Sequence, residues 1–85
     1  MRIFHAPRFG RSYQKLSRNV QEKAEQKEII FRANPFNARL DTHKLHGKLK
    51  NQWSFSVDGR HRILFEFFAK GEIIFLDIGD HQIYN

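Results

Sequence analysis

Residues 61 to 78 constrain the fold most. They hold two runs of β-branched and aromatic residues, "HRILFEFF" and "EIIFLDI", separated by a short segment containing Lys70-Gly71. A two-residue turn at Lys70-Gly71 sets Ala69 opposite Glu72. That register lays Ile63, Phe65 and Phe67 on one face with Ile78, Leu76 and Ile74, a wholly apolar set that belongs on the core side. Arg60, Arg62 and Glu66 then share the other face with His81 and Asp77. One strand earlier, residues 53 to 57 ("WSFSV") alternate strictly and lead into Asp58-Gly59. A two-residue loop there would turn Ser54 and Ser56 inward, whereas a three-residue loop, Asp58 to Arg60, keeps Trp53, Phe55 and Val57 inside. The three-residue loop is the consistent choice, and it gathers Ser54, Ser56, Arg62 and His81 on one polar sheet face.

An apolar sheet face needs a cover, and the first half of the chain supplies it. Residues 2 to 5 suit a short first strand. Pro7 suits the first turn of a helix, where its missing N–H has no partner to lose. Phe9, Tyr13, Leu16 and Val20 recur at helical spacing and predict a helix from about 7 to 17. Asn19 with Glu22 three residues on predicts a capped second helix from 19 to about 33, ended by Asn34-Pro35. Residues 36 to 52 have no clean period and read as mostly loop. The expected fold is therefore α+β: an N-terminal strand and a helical hairpin on a small, mostly antiparallel sheet, in the order β-α-α-β-β-β. With 85 residues, 40% of them apolar, the chain supports one modest core and a single domain spanning 1–85.

Charge narrows the function. Lys and Arg number 15 against 9 Asp and Glu, a formal net charge of +6, which favours a polyanionic partner. There is no cysteine, so neither a disulfide nor a thiolate metal site is available, as suits a reducing cytosol. The opening residues lack the apolar run of a signal peptide, and no stretch approaches the roughly 20 residues needed to span a bilayer. A soluble, cytoplasmic protein is expected.

Five histidines offer proton transfer near neutrality. His43 and His46 are spaced i, i+3, but Lys44 and Lys48 beside them would repel a divalent cation, so no metal or other cofactor is expected. Metal-free cleavage of RNA suits this residue set better. The 2′-hydroxyl must lose a proton to attack its own phosphate, the phosphorane's added charge needs a fixed cation, and the 5′-oxygen must be protonated as it leaves. Two acid–base groups and one or two cations suffice, and His43, Arg62 and His81 are of those types.

The segments "HKLHGKLKNQWSFSV", "RHRILFEF" and "LDIGDHQIY" resemble the RelE/ParE toxin superfamily of bacterial type II toxin–antitoxin modules. The likeness is greatest to its RelE/YoeB/YafQ branch of ribosome-dependent mRNA interferases. The positions that carry it are Leu45, Gly47, Leu49, Trp53, Ser54, Arg62 and His81. The resemblance implies an endoribonuclease in which His43 is an acid–base residue, Arg62 binds the scissile phosphate and His81 is the general acid. Lys44, Lys48 and Lys50 would coat the approach with positive charge, joined in RNA binding by His46, Arg60 and Tyr84. Implied partners are a cognate antitoxin with an acidic amphipathic tail, mRNA in the ribosomal A site, and ribosomal RNA. Asn51 departs from a common glycine, the tail after His81 is short, and Ser56 and Arg60 stand where other members place additional sheet residues. Alternatives within the same fold are a gyrase-poisoning toxin without nuclease activity and an inactive antitoxin-binding homologue.

Overall fold

The two apolar runs become β4 (Arg62–Ala69) and β5 (Glu72–Gly79), the centre of a five-stranded sheet. The structure, a computed structural model, describes residues 1–47, 51–80 and 83. The other elements are β1 (Arg2–His5), α1 (Pro7–Gln14), α2 (Arg18–Ala33), a 3-10 turn (Ala38–Leu40), β2 (His43–Lys44) and β3 (Trp53–Ser56). The strand order is β1-β5-β4-β3-β2, with β1 parallel to β5 and the other neighbours antiparallel. This is the expected α+β order with one addition, the two-residue β2 and its preceding turn inside the segment read as loop.

Both turns that set the register form as expected. Ala69 pairs with Glu72, and Gly71 takes a φ of 72°, a conformation glycine adopts without steric cost. Val57 N–H donates to the His61 carbonyl at 2.9 Å, closing the three-residue loop over Asp58, Gly59 and Arg60. Phe55 and Val57 are accordingly buried, and Trp53 packs partly buried against the core.

The middle of the β4–β5 ladder differs from the expected register. Ile63 faces Ile78 and Leu64 faces Asp77, but then Phe65 faces Phe75 and Phe67 faces Ile73. Leu76 and Phe68 are the extra residues of two irregularities that offset one another. A one-residue slip exchanges the faces of a strand, so the inward residues of β5 are Ile73, Phe75 and Ile78, while Ile74 and Leu76 are only partly buried. Phe67, expected in the core, is 41% exposed. Asp77, expected on the polar face beside Arg62, is instead bonded to α1. Its Oδ1 accepts from Ser12 Oγ at 2.6 Å, and its Oδ2 lies 3.0 Å from Arg8 Nε.

The slip has an aromatic reason. Phe31 of α2, fully buried, stacks on Phe55 at 4.7 Å and meets Phe65 and Phe75 edge-on at 5.0 and 5.5 Å. Such pairs add about 0.5–1.5 kcal/mol each beyond their buried area, and only the slipped register brings Phe75 under Phe31. The helix boundaries also shift. α1 ends at Gln14, and the α2 cap is Ser17, whose Oγ accepts from Val20 N–H at 3.3 Å, not Asn19. Glu22, expected to complete a capping box, is drawn to Arg18 one turn back, at 3.2 Å. Among the described residues no helix is long and apolar enough to cross a membrane.

Candidate active site

The helices cover one sheet face, and strand pairing assembles the other. His43 lies opposite Ser54, and Ser54 opposite Leu64; in the next row, Ser56 lies opposite Arg62 and Arg62 opposite Gly79. His43 and Arg62, distant in sequence, thereby stand on one face within two strands of each other.

His43 is held by its own chain. Its Nδ1 lies 3.1 Å from the Asp41 carbonyl oxygen. A carbonyl can only accept, so Nδ1 carries the proton, and in the neutral ring Nε2 keeps its lone pair. That nitrogen lies 3.4 Å from Ser54 Oγ, a hydroxyl on a fully buried residue. Asp41 reaches this position with a φ of 49° and ψ of 45°, the left-handed conformation that aspartate tolerates better than most residues.

Arg62 is half-buried, its side chain 30% exposed, and its Nη1 is buried without a hydrogen-bond partner among the described residues. Asp41 Oδ2 lies 3.7 Å from that nitrogen, on a carboxylate that is 72% exposed. An exposed counter-ion at that distance contributes little. The guanidinium is thus a partly exposed cation with only a weak counter-ion among the described residues, the kind of group that pairs with phosphate. Arg62, His43, Asp41, Ser54 and Ser56 form the set: a cation on the same sheet face as an imidazole whose Nε2 accepts from the Ser54 hydroxyl and can accept a proton.

The other expected site residues divide. Lys44 follows His43 on β2 opposite Trp53, so alternation places it on the opposite face, away from the Arg62 set. His46 is exposed, and Arg60 is exposed in the β3–β4 loop, its backbone N–H given to Asp58 at 2.8 Å. Lys48, Lys50, His81 and Tyr84 lie outside the described residues. His61, next to Arg62 in sequence, belongs to a separate arrangement: its Nδ1 lies 3.0 Å from Asp58 Oδ1. Burial pushes the Asp58 carboxyl up, but hydrogen bonds from Arg60 N–H and from the His61 ring and N–H outweigh it, and the net shift is downward. Asp41 was not among the expected site residues. Its only sequence signal is an acid two residues before a histidine, which is too common to single out.

A small five-stranded sheet covered by two helices on one face is the RelE-like fold. Comparison with solved structures shows this fold. The YoeB/ParE toxin from Agrobacterium tumefaciens superimposes with a TM-score of 0.81 at 18% identity, over 95% of this chain and 99% of that one. YafQ from E. coli gives 0.80 at 15% identity, over 99% and 98%. The toxin–antitoxin complex RelBE2 from Mycobacterium tuberculosis gives 0.78 at 15% identity, over 94% and 96%. No model of a protein family matches the chain, and no curated protein matches it in sequence. The expected fold is therefore the observed one, recognisable in three dimensions at identities where sequence comparison is silent.

Proposed function

We propose that this chain is the toxin of a type II toxin–antitoxin module and that it cleaves ribosome-bound mRNA by attack of a 2′-hydroxyl, without a metal. The observation that supports this reading is the Arg62 guanidinium, weakly countered among the described residues, on the same sheet face as the His43 imidazole. In the proposed reaction His43 Nε2 takes the 2′-hydroxyl proton. The 2′-oxygen bonds to the adjacent phosphorus, and the bond from phosphorus to the 5′-oxygen breaks, leaving a 2′,3′-cyclic phosphate. Arg62 donates to the non-bridging oxygens, where charge accumulates. The family resemblance assigns protonation of the departing 5′-oxygen to His81.

An antitoxin partner is supported by complexes of the same fold, RelBE2 and the YoeB–YefM complex from Staphylococcus aureus. An acidic segment laid over Arg62 would both neutralise and cover the proposed site. The Agrobacterium relative carries both names, YoeB and ParE, so gyrase poisoning is the second reading.

Induced expression of the wild type and of Arg62→Ala, with growth curves and primer extension on an abundant mRNA, separates these readings. Growth arrest with new in-frame cuts in the wild type alone is expected. Arrest without cuts in both proteins would favour gyrase, and no arrest would leave an antitoxin-binding role.

A further inference from the structure

The helical layer does not close fully over the sheet. Between α1, α2 and the strands beneath them lies a cavity of about 310 Å³, at the small end of ligand pockets. Phe9, Ala24 and Ile63, all buried, form its floor. Gly10 forms part of its wall, and no local demand places a glycine there. It lies inside α1, without the positive φ that Gly47 and Gly71 take. Beyond its chain neighbours and its own helix backbone, a Cβ at this position would meet nothing within 4 Å. A glycine inside a helix is less stable than alanine, and its one local effect here is to leave the cavity open.

The mouth of this cavity is acidic, in a chain whose net charge is +6. Among the described residues, Glu25 and Glu28 line it and no Lys or Arg does. Each carboxylate commits one oxygen to the fold: Glu25 Oε2 accepts from the Tyr13 hydroxyl at 2.8 Å, and Glu28 Oε2 from Arg32 Nη2 at 3.1 Å. Glu28 Oε1 lies 3.9 Å from His5 Nε2, beyond hydrogen-bond reach. The rings of His5, Phe9 and Tyr13 complete the lining as one aromatic row, with centroids 5.1 and 6.0 Å apart. We infer that this cavity binds a small free alkylammonium ion, its hydrocarbon body against Phe9, Ala24 and Ile63 and its ammonium at the two glutamates. Three features select that class of ligand. The carboxylates repel an anion, aromatic rings attract a desolvated cation, and an apolar floor favours a hydrocarbon tail that an inorganic cation lacks. The cavity lies on the helix-covered side of the sheet, away from His43 and Arg62, so the inference goes beyond the cleavage reading and does not rest on it.

The test is an amide NMR titration of the full chain with n-pentylammonium chloride, with pentanoate and 1-pentanol as the anionic and neutral counterparts. Saturable shifts at the Phe9, Gly10 and Ala24 amides are expected with pentylammonium. Pentanoate is expected to produce none, and 1-pentanol to bind about tenfold more weakly, the loss of one charge-assisted hydrogen bond. Glu25→Gln/Glu28→Gln keeps side-chain size and is expected to weaken pentylammonium by about tenfold or more, with 1-pentanol unchanged. Gly10→Leu fills the cavity from a helical position and is expected to abolish binding of both, with a melting temperature no lower than that of the wild type. Absence of a saturable shift with pentylammonium would overturn the inference. So would equal affinity for pentanoate or 1-pentanol, undiminished binding in the double glutamine variant, or binding that survives in a folded Gly10→Leu. Thermal melts establish that each variant is folded, and if Gly10→Leu is not, the double glutamine variant decides. The titration reads binding under the helices and primer extension reads cleavage, so either can fail while the other stands.

Discussion

Arg62 Nη1 stands 3.7 Å from Asp41 Oδ2, close enough for attraction and too far for a hydrogen bond, while the carbonyl of the same Asp41 accepts from His43 Nδ1 at 3.1 Å. One left-handed residue thus orients the imidazole through its backbone and lightly screens the guanidinium through its side chain. Asp41→Asn keeps the carbonyl and tolerates the left-handed backbone, but removes a charge that competes with phosphate. Cleavage is expected to persist with a lower KM. Asp41→Val forces a β-branched residue into that conformation at a cost of about 1–2 kcal/mol or more, and is expected to lower both kcat and the melting temperature. Steady-state kinetics beside thermal melts distinguish the two effects.

Removing Arg62 takes away the cation assigned to the phosphorane. Loss of one preorganised donor typically lowers kcat about 10²–10³-fold. Arg62→Ala is expected in that range, with Arg62→Lys intermediate because it keeps the charge but loses the planar fork. Single-turnover cleavage on programmed ribosomes measures both, and wild-type rates in Arg62→Ala would contradict the assignment.

The β3–β4 loop is held by the Asp58 carboxylate, which accepts from Arg60 N–H, His61 N–H and the His61 ring. Its pKa is lowered on folding, so the ionised form is the one the fold favours. The resulting stability is present above the ordinary carboxylate range and is lost as pH falls through the lowered folded value. Asp58→Ala is expected to cost about 1–3 kcal/mol at neutral pH, with the gap closing towards acid. Urea titrations at a series of pH values would show a constant gap if the carboxylate did not matter.

Phe31 touches three sheet aromatics at once and is fully buried. Phe31→Ala is expected to destabilise the protein by about 3–5 kcal/mol, and Phe31→Leu by less. Denaturant midpoints measure this directly, and a loss below about 1 kcal/mol would mean that the aromatic cluster does not set the β4–β5 register.

Much of this protein is legible one residue at a time. The Lys70-Gly71 turn, the three-residue loop at Asp58, the helical spacing of Phe9 and Tyr13, and the end of α2 before Pro35 all follow from local chemistry. Each depends on a few neighbouring residues and on the period of the apolar pattern, and the fold class follows from them. The α2 cap shows where local reading ends: Ser17 and Asn19 are both good caps, and only the packed geometry chooses Ser17.

The sequence by itself therefore determined the order of elements apart from β2 and its preceding turn, the two sheet-forming turns and the net positive charge. Tertiary structure decided which β5 residues face inward, because packing Phe75 under Phe31 outweighs an unbroken ladder. It also decided that Asp77 goes to α1 and that Asp41 lies between His43 and Arg62. These are relations between residues far apart along the chain, or between faces that a one-residue slip exchanges, and no local pattern encodes them.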